Sequence, residues 1–432
     1  MTRYRWRRWN ALVAIAGLLV AAALGIGMVV REATTQAQEG LWQRQFGSAD
    51  HDAATGVAAD ESGVVVVGWT GGALATTAVP SARDAFVRRY TTSGQLSWEA
   101  QFGTADSDVA TAVALGPDGS VYVVGQLAGS GQPGGTPFYA FIRKYEADGK
   151  EAWTHQFGAE GASATTTAAS VAVDAGGAVY VGGWVFGSLS GAAPGGQDDA
   201  FVRKYEADGT EAWTHQFGSA GHDLASAVSV DGAGDIYVAT QSDQTSGDVG
   251  STVVRKYAAD GAELWARSIG AVNDVTIAVA VDGAGAMYQV GEAFPSERLH
   301  SHAQGNHRGV PFVRKYDAAG SEAWTRRFGA GATDAAVKLA VDDAGTVYIA
   351  GHTSGGTGTG RPDLRSIAFV RTFGPDGAPG VLRRFVSVGH ATTTAVAVGS
   401  AGEFYAVGWS RGALPGATAN GPTDAFIGRV RL

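Results

Sequence analysis

The chain has 432 residues, a formal net charge of −9, 64 glycines, 12 prolines, no cysteine and 45% apolar residues. No disulfide framework or thiolate metal site can form, and the composition is too apolar for a disordered chain and too glycine-rich for a helical one. Without the first 40 residues, 27 basic residues face 39 acidic ones, and so acidic a body argues against nucleic acid or anionic lipid as a partner.

The N-terminus opens on Arg3, Arg5, Arg7 and Arg8, followed at 11–30 by 20 uncharged, almost wholly apolar residues. That length spans a bilayer as a helix, and the arginine cluster holds its own end in the cytoplasm. Two readings stay open for residues 1–30: a retained signal anchor, or a signal peptide cleaved after Ala37 in TTQAQ. Both put the rest of the chain outside the cytoplasmic membrane. Residues 31–40 are a short linker.

From residue 41 one pattern recurs. It starts on a tryptophan strand: LWQRQFG at 41–47, SWEAQFG at 97–103, AWTHQFG at 152–158 and 212–218, LWARSIG at 264–270 and AWTRRFG at 323–329, with a degenerate VLRRFVS at 381–387. The period of 52–60 residues is that of a propeller or another array. Three strands follow in each period. The first is rich in Ala and Gly (ATGVAAD at 54–60), the second is Val-rich (VYVVGQL at 121–127), and the third is AFVRKY-like (85–90, 140–145, 200–205). Period-2 alternation and β-branched residues support strands. The first-to-second and third-to-fourth connections are short and carry Gly, as hairpins require. Small side chains suit the innermost strand, where sheets converge, and the tryptophan strand belongs outermost.

The expected fold is therefore all-β: a seven-bladed β-propeller of four-stranded antiparallel blades over 41–432, preceded by an N-terminal hydrophobic helix. Residues 41–47 form a lone fourth strand and 424–432 a third strand, so the former are expected to close the last blade beside the latter. If the anchor is retained, the ten-residue linker brings the tight-turn face towards the membrane and points the long-loop face away from it.

The elements D-A-F-V-R-K-Y, the A-D-G turn, W-x-x-x-F-G and V-Y-V-x-G resemble the SBBP family of bacterial seven-bladed propeller repeats, and the resemblance covers residues 41–432. It implies the fold and says little of function. D-G-x-E-x-W at 208–213 also resembles the tryptophan-docking repeats of pyrroloquinoline quinone dehydrogenases. Those enzymes have eight blades and a dedicated acidic site, and seven repeats without an inserted cofactor segment argue against that reading.

Two columns recur so regularly that they read as structural. Arg88, Arg143, Arg203, Arg255, Arg314 and Arg371 sit on third strands, where stacking on aromatics and pairing with loop carboxylates is expected. Asp52, Asp108, Asp223, Asp274 and Asp334 precede first strands. One column varies, at the end of the second strand: Trp69, Gln126, Trp184, Gln241, Glu292, His352 and Trp409. Aromatic groups with amides and single ionisable groups suit a platform for sugar or peptide, while packing of the next loop is the plainer role. His300, His302 and His307 are weak metal candidates, since the loop 293–310 offers no rigid support. His155 and His215 are expected to keep outer edges polar.

No H-E-x-x-H or P-loop is present. The expectation is an extracytoplasmic, non-enzymatic binding or scaffold module without a cofactor. Its long-loop face would take a glycan, peptide or protein, and residues 11–30 would meet the membrane if uncleaved. The alternative is a cell-envelope hydrolase or lyase with a site in the central mouth.

Overall fold

The computed structural model describes residues 42–74, 82–129, 137–159, 164–189, 191, 195–243, 251–270, 274–293, 309–329, 334–354, 366–385, 389–399 and 402–431. The predicted hydrophobic segment, the linker and His300, His302 and His307 lie outside the described residues. Among the described residues there is no helix, and so none long and apolar enough to cross a membrane.

Every element is a strand. β1 (Trp42–Phe46) precedes a meander of β2 (Asp52–Asp60), β3 (Gly63–Thr70), β4 (Asp84–Thr91) and β5 (Leu96–Phe102). The pattern repeats in β6 (Val109–Leu115), β7 (Val121–Ala128), β8 (Phe138–Tyr145) and β9 (Glu151–Phe157), then in β10 (Thr165–Val173), β11 (Val179–Phe186), β12 (Asp199–Tyr205) and β13 (Glu211–Phe217). A single parallel pair, Thr165 with Phe138, joins these two meanders into one eight-stranded sheet. Four-stranded sheets follow from β14 (His222–Val230), β15 (Ile236–Asp243), β16 (Ser251–Tyr257) and β17 (Glu263–Ile269), and from β18 (Asp274–Val281), β19 (Met287–Ala293), β20 (Val310–Tyr316) and β21 (Glu322–Arg327). Another is β22 (Asp334–Val341), β23 (Val347–Ser354), β24 (Ser366–Phe373) and β25 (Pro379–Phe385). The last is β26 (Ala391–Val398), β27 (Glu403–Ser410) and β28 (Asp424–Arg431), with β1 as its outer strand, Trp42 opposite Arg429 and Phe46 opposite Ala425.

The first strands pack in chain order, β2 on β6 and so on to β22 on β26, and β26 packs on β2, which closes a ring. Their small residues permit that approach. Each first strand also carries a register shift at the same place, as between Ala54 and Gly56 or Thr393 and Ala395. The extra residue bends the strand and frees a side chain to bond elsewhere. Thr55 Oγ1 donates to Ala110 O at 2.6 Å, Thr111 Oγ1 to Ala168 O at 2.6 Å, and Thr394 Oγ1 to Ala54 O at 2.7 Å, each across a seam between sheets.

Second strands supply the core. Val64–Val67 are fully buried, as are Tyr122, Tyr180 and Tyr405. The glycine of V-x-G is needed by close approach: a Cβ on Gly183 would sit 1.9 Å from Thr167 O, and one on Gly68 2.1 Å from Ala53 O. Fourth strands are outermost and their tryptophans are half-buried. Four of them cap the third-to-fourth turn of the next sheet: Trp42 Nε1 donates to Thr92 O at 2.9 Å, Trp98 Nε1 to Ala147 O at 3.1 Å, Trp213 Nε1 to Ala259 O at 3.3 Å and Trp324 Nε1 to Pro375 O at 2.9 Å.

The arginine column stacks as expected, with Arg143 Cζ 4.0 Å from the Phe102 ring centroid and Arg203 4.2 Å from Phe157. Its carboxylate partners differ from expectation. They are fourth-strand glutamates, as in Arg88–Glu99 (2.5 Å), Arg203–Glu211 (3.2 Å) and Arg255–Glu263 (2.9 Å), and Arg314 also reaches a member of the aspartate column, Asp274, at 2.9 Å. The reason is register: the start of the fourth strand lies directly across the hairpin from the third, whereas the aspartates turn inward to cap their own loops. His155 and His215 likewise do more than keep an edge polar. They stack on Tyr205 and Tyr257, with ring centroids 5.3 Å apart in both pairs.

Candidate functional site

β3, β11 and β27 run into G-W-x-x-G-x-L at 68–74, 183–189 and 408–414. In each case a fourth-strand glutamine fastens the loop that follows. Leu74 N, Leu189 N and Leu414 N donate to Oε1 of Gln101, Gln216 and Gln45 at 2.9, 2.7 and 2.8 Å. Nε2 of the same three glutamines donates to the carboxylates of Asp84, Asp199 and Asp424 at 2.7, 2.8 and 2.8 Å. Trp69, Trp184 and Trp409 therefore project from strand ends whose next turn is held, which preorganises them.

Those carboxylates lie beside the aspartates of the neighbouring column. A Cβ on Gly47 would come 2.6 Å from both Asp424 and Asp52, so the glycine of Q-F-G is what lets the two acids close over the chain. Asp52 accepts Ser48 N at 2.7 Å and the Thr70 hydroxyl. Burial still pushes its carboxyl above the usual carboxylate range, helped by the charge of Asp424 and opposed by those hydrogen bonds. Across the seam Asp52 N donates to Thr423 O at 2.9 Å, and Asp108 N and Asp223 N repeat the bond to Arg83 O and Asp198 O. The aspartates thus fasten the rim on the long-loop side.

At the seam between β2–β5 and the last sheet this rim opens into a cleft of about 320 Å³. Trp69 and Trp409 are two of its walls, Ala53, Ala54, Thr55 and Thr394 line it on the two first strands, and His51, Arg411 and Thr423 complete it. His51 Nδ1 is 3.1 Å from Thr423 Oγ1, and the His51 and Arg411 side chains are exposed. Arg83, which is not a lining residue, lies over the Trp69 ring with Cζ 3.9 Å from the centroid.

Of the varied column, then, the cleft unites Trp69 and Trp409. Trp184 is half-buried opposite Thr167, two sheets away from Trp69. Gln126 accepts from Thr167 Oγ1 at 2.9 Å, Gln241 donates to Thr276 O, and Glu292 accepts Gly309 N at 3.2 Å. His352 is half-buried opposite Ala335. His51, Arg411 and Thr423 escaped sequence reading because the positions they occupy hold different residues in most copies of the repeat. The G-W-x-x-G-x-L motif was a signal for the walls. No group of three His, Asp or Glu able to hold a metal occurs among the described residues.

No family model matches the chain. The regulatory protein FlaEY of Caulobacter vibrioides is 26% identical over 167 residues, 35% of this chain, and the chain spans only 17% of that relative's length. Among solved structures, the β-propeller domain of the Trilobed protease from Pyrococcus furiosus superposes with a TM-score of 0.50 at 10% identity, over 89% of this chain and 96% of that one. The fold is that of a β-propeller. Puromycin hydrolase gives a TM-score of 0.51 at 14% identity over 85% of this chain and 51% of its own. At such identities the likeness concerns the fold alone. It nonetheless overturns the expectation of a non-enzymatic chain. The same fold occurs in a hydrolase, and a missing local motif says nothing about groups assembled across blades.

Proposed function

We propose that the chain is a seven-bladed propeller of the cell envelope, built of SBBP-like repeats, that works as a hydrolase or lyase on a glycan or peptide held between Trp69 and Trp409. The observation that carries this reading is the convergence of two indoles, an imidazole and a guanidinium in one cleft on the long-loop face. Indole faces cover sugar rings or peptide side chains at little entropic loss. Arg411 suits a substrate carboxylate. His51 brings an imidazole to the cleft, and Thr423 orients its ring through Nδ1, which leaves Nε2 for proton transfer. In hydrolysis it would take the proton of the attacking water and return it to the leaving group. The Arg-rich start and the apolar run at 11–30 support an extracytoplasmic place, and the six tryptophan strands with their degenerate seventh copy support the blade count.

The test is a hydrolase and lyase panel run beside a glycan and peptide array, on the purified protein and on His51→Gln, Arg411→Gln and Trp69→Ala/Trp409→Ala. Turnover that falls about 100-fold or more in His51→Gln, with binding kept, is the expected result for a general acid or base. Turnover untouched by all three variants, or none on any class in the panel, refutes the reading.

A further inference from the structure

The arginine column changes character at one place. In the other sheets that carry it, the guanidinium has built-in oxygen partners: Arg203 contacts Tyr205 Oη at 3.5 Å and Glu211 at 3.2 Å, and Arg314 contacts Tyr316 Oη at 3.4 Å and Glu322 at 3.3 Å. Both partners are supplied by one cross-strand pair, Tyr205 opposite Glu211 and Tyr316 opposite Glu322. In the β22–β25 sheet the same pair is Phe373 opposite Pro379. Arg371 has therefore lost the phenol and the carboxylate together. Stacking remains, with Arg371 Cζ 5.7 Å from the Phe328 ring and 5.4 Å from Phe373.

A cavity of about 230 Å³ opens at this spot, at the seam with the β18–β21 sheet. Arg371 and Arg384 line it with Phe328, Phe369, Leu382 and Thr353. Arg384 stands opposite Phe369 and Leu382 opposite Arg371 on the adjacent strand, so both guanidinium groups belong to one face of the sheet. No salt bridge to either arginine occurs among the described residues. A guanidinium does not shed its charge by losing a proton, so the two of them beside apolar walls make a positive site that an anion fits.

We propose that this pocket binds a small oxoanion, a carboxylate or phosphate, in the place that glutamate takes beside the other arginines. The planar fork of Arg371 suits two oxygens of one anion, Arg384 closes over it from the outer strand, and the phenyl and leucine walls favour an anion with an apolar body. The site is separate from the Trp69/Trp409 cleft and does not depend on the function assigned there.

The test uses the full chain, titrated calorimetrically with benzoate, inorganic phosphate and benzyl alcohol. Saturable, one-to-one binding of benzoate is expected, with phosphate weaker and benzyl alcohol silent. Phosphate stronger than benzoate would overturn the role of the apolar walls. Arg384→Gln, at an exposed position, should weaken benzoate binding about tenfold, the usual loss for one charge-assisted hydrogen bond. Phe373→Tyr/Pro379→Glu restores the internal partners found in the other sheets and should abolish binding while raising thermal stability. Arg411→Gln, in the other cleft, should leave binding unchanged. Benzoate affinity that survives both Arg384→Gln and the restoring variant, or that disappears in Arg411→Gln, defeats the proposal.

Discussion

Trp42 joins the two ends of the described chain, and Trp42→Ala measures how much that junction contributes. The indole belongs to the outer strand of the last sheet and bridges to the first: its ring centroid lies 6.0 Å from that of Tyr405 in its own sheet and 6.3 Å from that of Tyr90 in the first, where Nε1 also donates to Thr92 O at 2.9 Å. The side chain is half-buried, so the loss is below the full value for a core aromatic. Truncating a buried Trp costs about 3–5 kcal/mol, and half-exposure reduces the packing part to roughly 2–3. The lost hydrogen bond adds about 1 kcal/mol, for a total near 3–4 kcal/mol. Trp213→Ala, an interior equivalent whose Nε1 donates to Ala259 O at 3.3 Å, is the control, because its strand is tethered on both sides by the chain. Denaturant midpoints should fall by similar amounts in both variants. Hydrogen exchange should separate them, since β1 pairs with β28 without a connecting turn whereas the hairpin at 206–210 ties β13 to β12, and losing its anchor exposes the β28 amides to local opening. Unchanged β28 protection in Trp42→Ala, or a stability loss under about 1 kcal/mol, would refute the view that this strand holds the ring shut.

Three further outcomes follow from particular contacts. Gly183→Ala puts a Cβ 1.9 Å from Thr167 O, and the forced backbone shift should cost at least about 1–3 kcal/mol in a denaturant titration. Gln216→Leu removes the partner of Leu189 N and Asp199; a loss of about 1–3 kcal/mol is expected, together with faster proteolysis after residue 189, and native-like resistance would argue against the clamp. Lys338 stands where the other first strands have Gly56, Ala112, Ser170, Ala227, Ala278 and Ala395, and desolvation lowers its pKa below the ordinary lysine value of 10.5. The unfolded chain thus holds that proton more tightly, so the penalty is full below the folded pKa and is relieved as pH climbs towards the unfolded one. Lys338→Met should raise the melting temperature at neutral pH and flatten its alkaline rise; a lower melting temperature at pH 7 would contradict this.

Strand order and the nature of each strand were legible in the residues. Alternation, β-branched content and Gly-bearing turns are local properties, and seven copies of one pattern leave few ways to bury the Val-rich second strands. Ala and Gly in the first strands pointed to the converging centre for the same reason. The walls of the cleft were partly legible too, since Trp69 and Trp409, with Trp184, stand in a column otherwise filled by polar groups. Their union was not. The two residues are 340 positions apart in the chain, and they meet because β26 packs on β2. His51, Arg411 and Thr423 join them only because a rim of backbone bonds from aspartate amides brings two irregular connections together. Which carboxylate each arginine takes was likewise hidden, since it depends on hairpin register and not on composition, and so was the pocket where Phe373 and Pro379 leave Arg371 without one. Periodicity follows from short-range geometry and can be read along a chain. A site made where the ring closes depends on which distant surfaces touch, and that was decided by the packing of whole sheets.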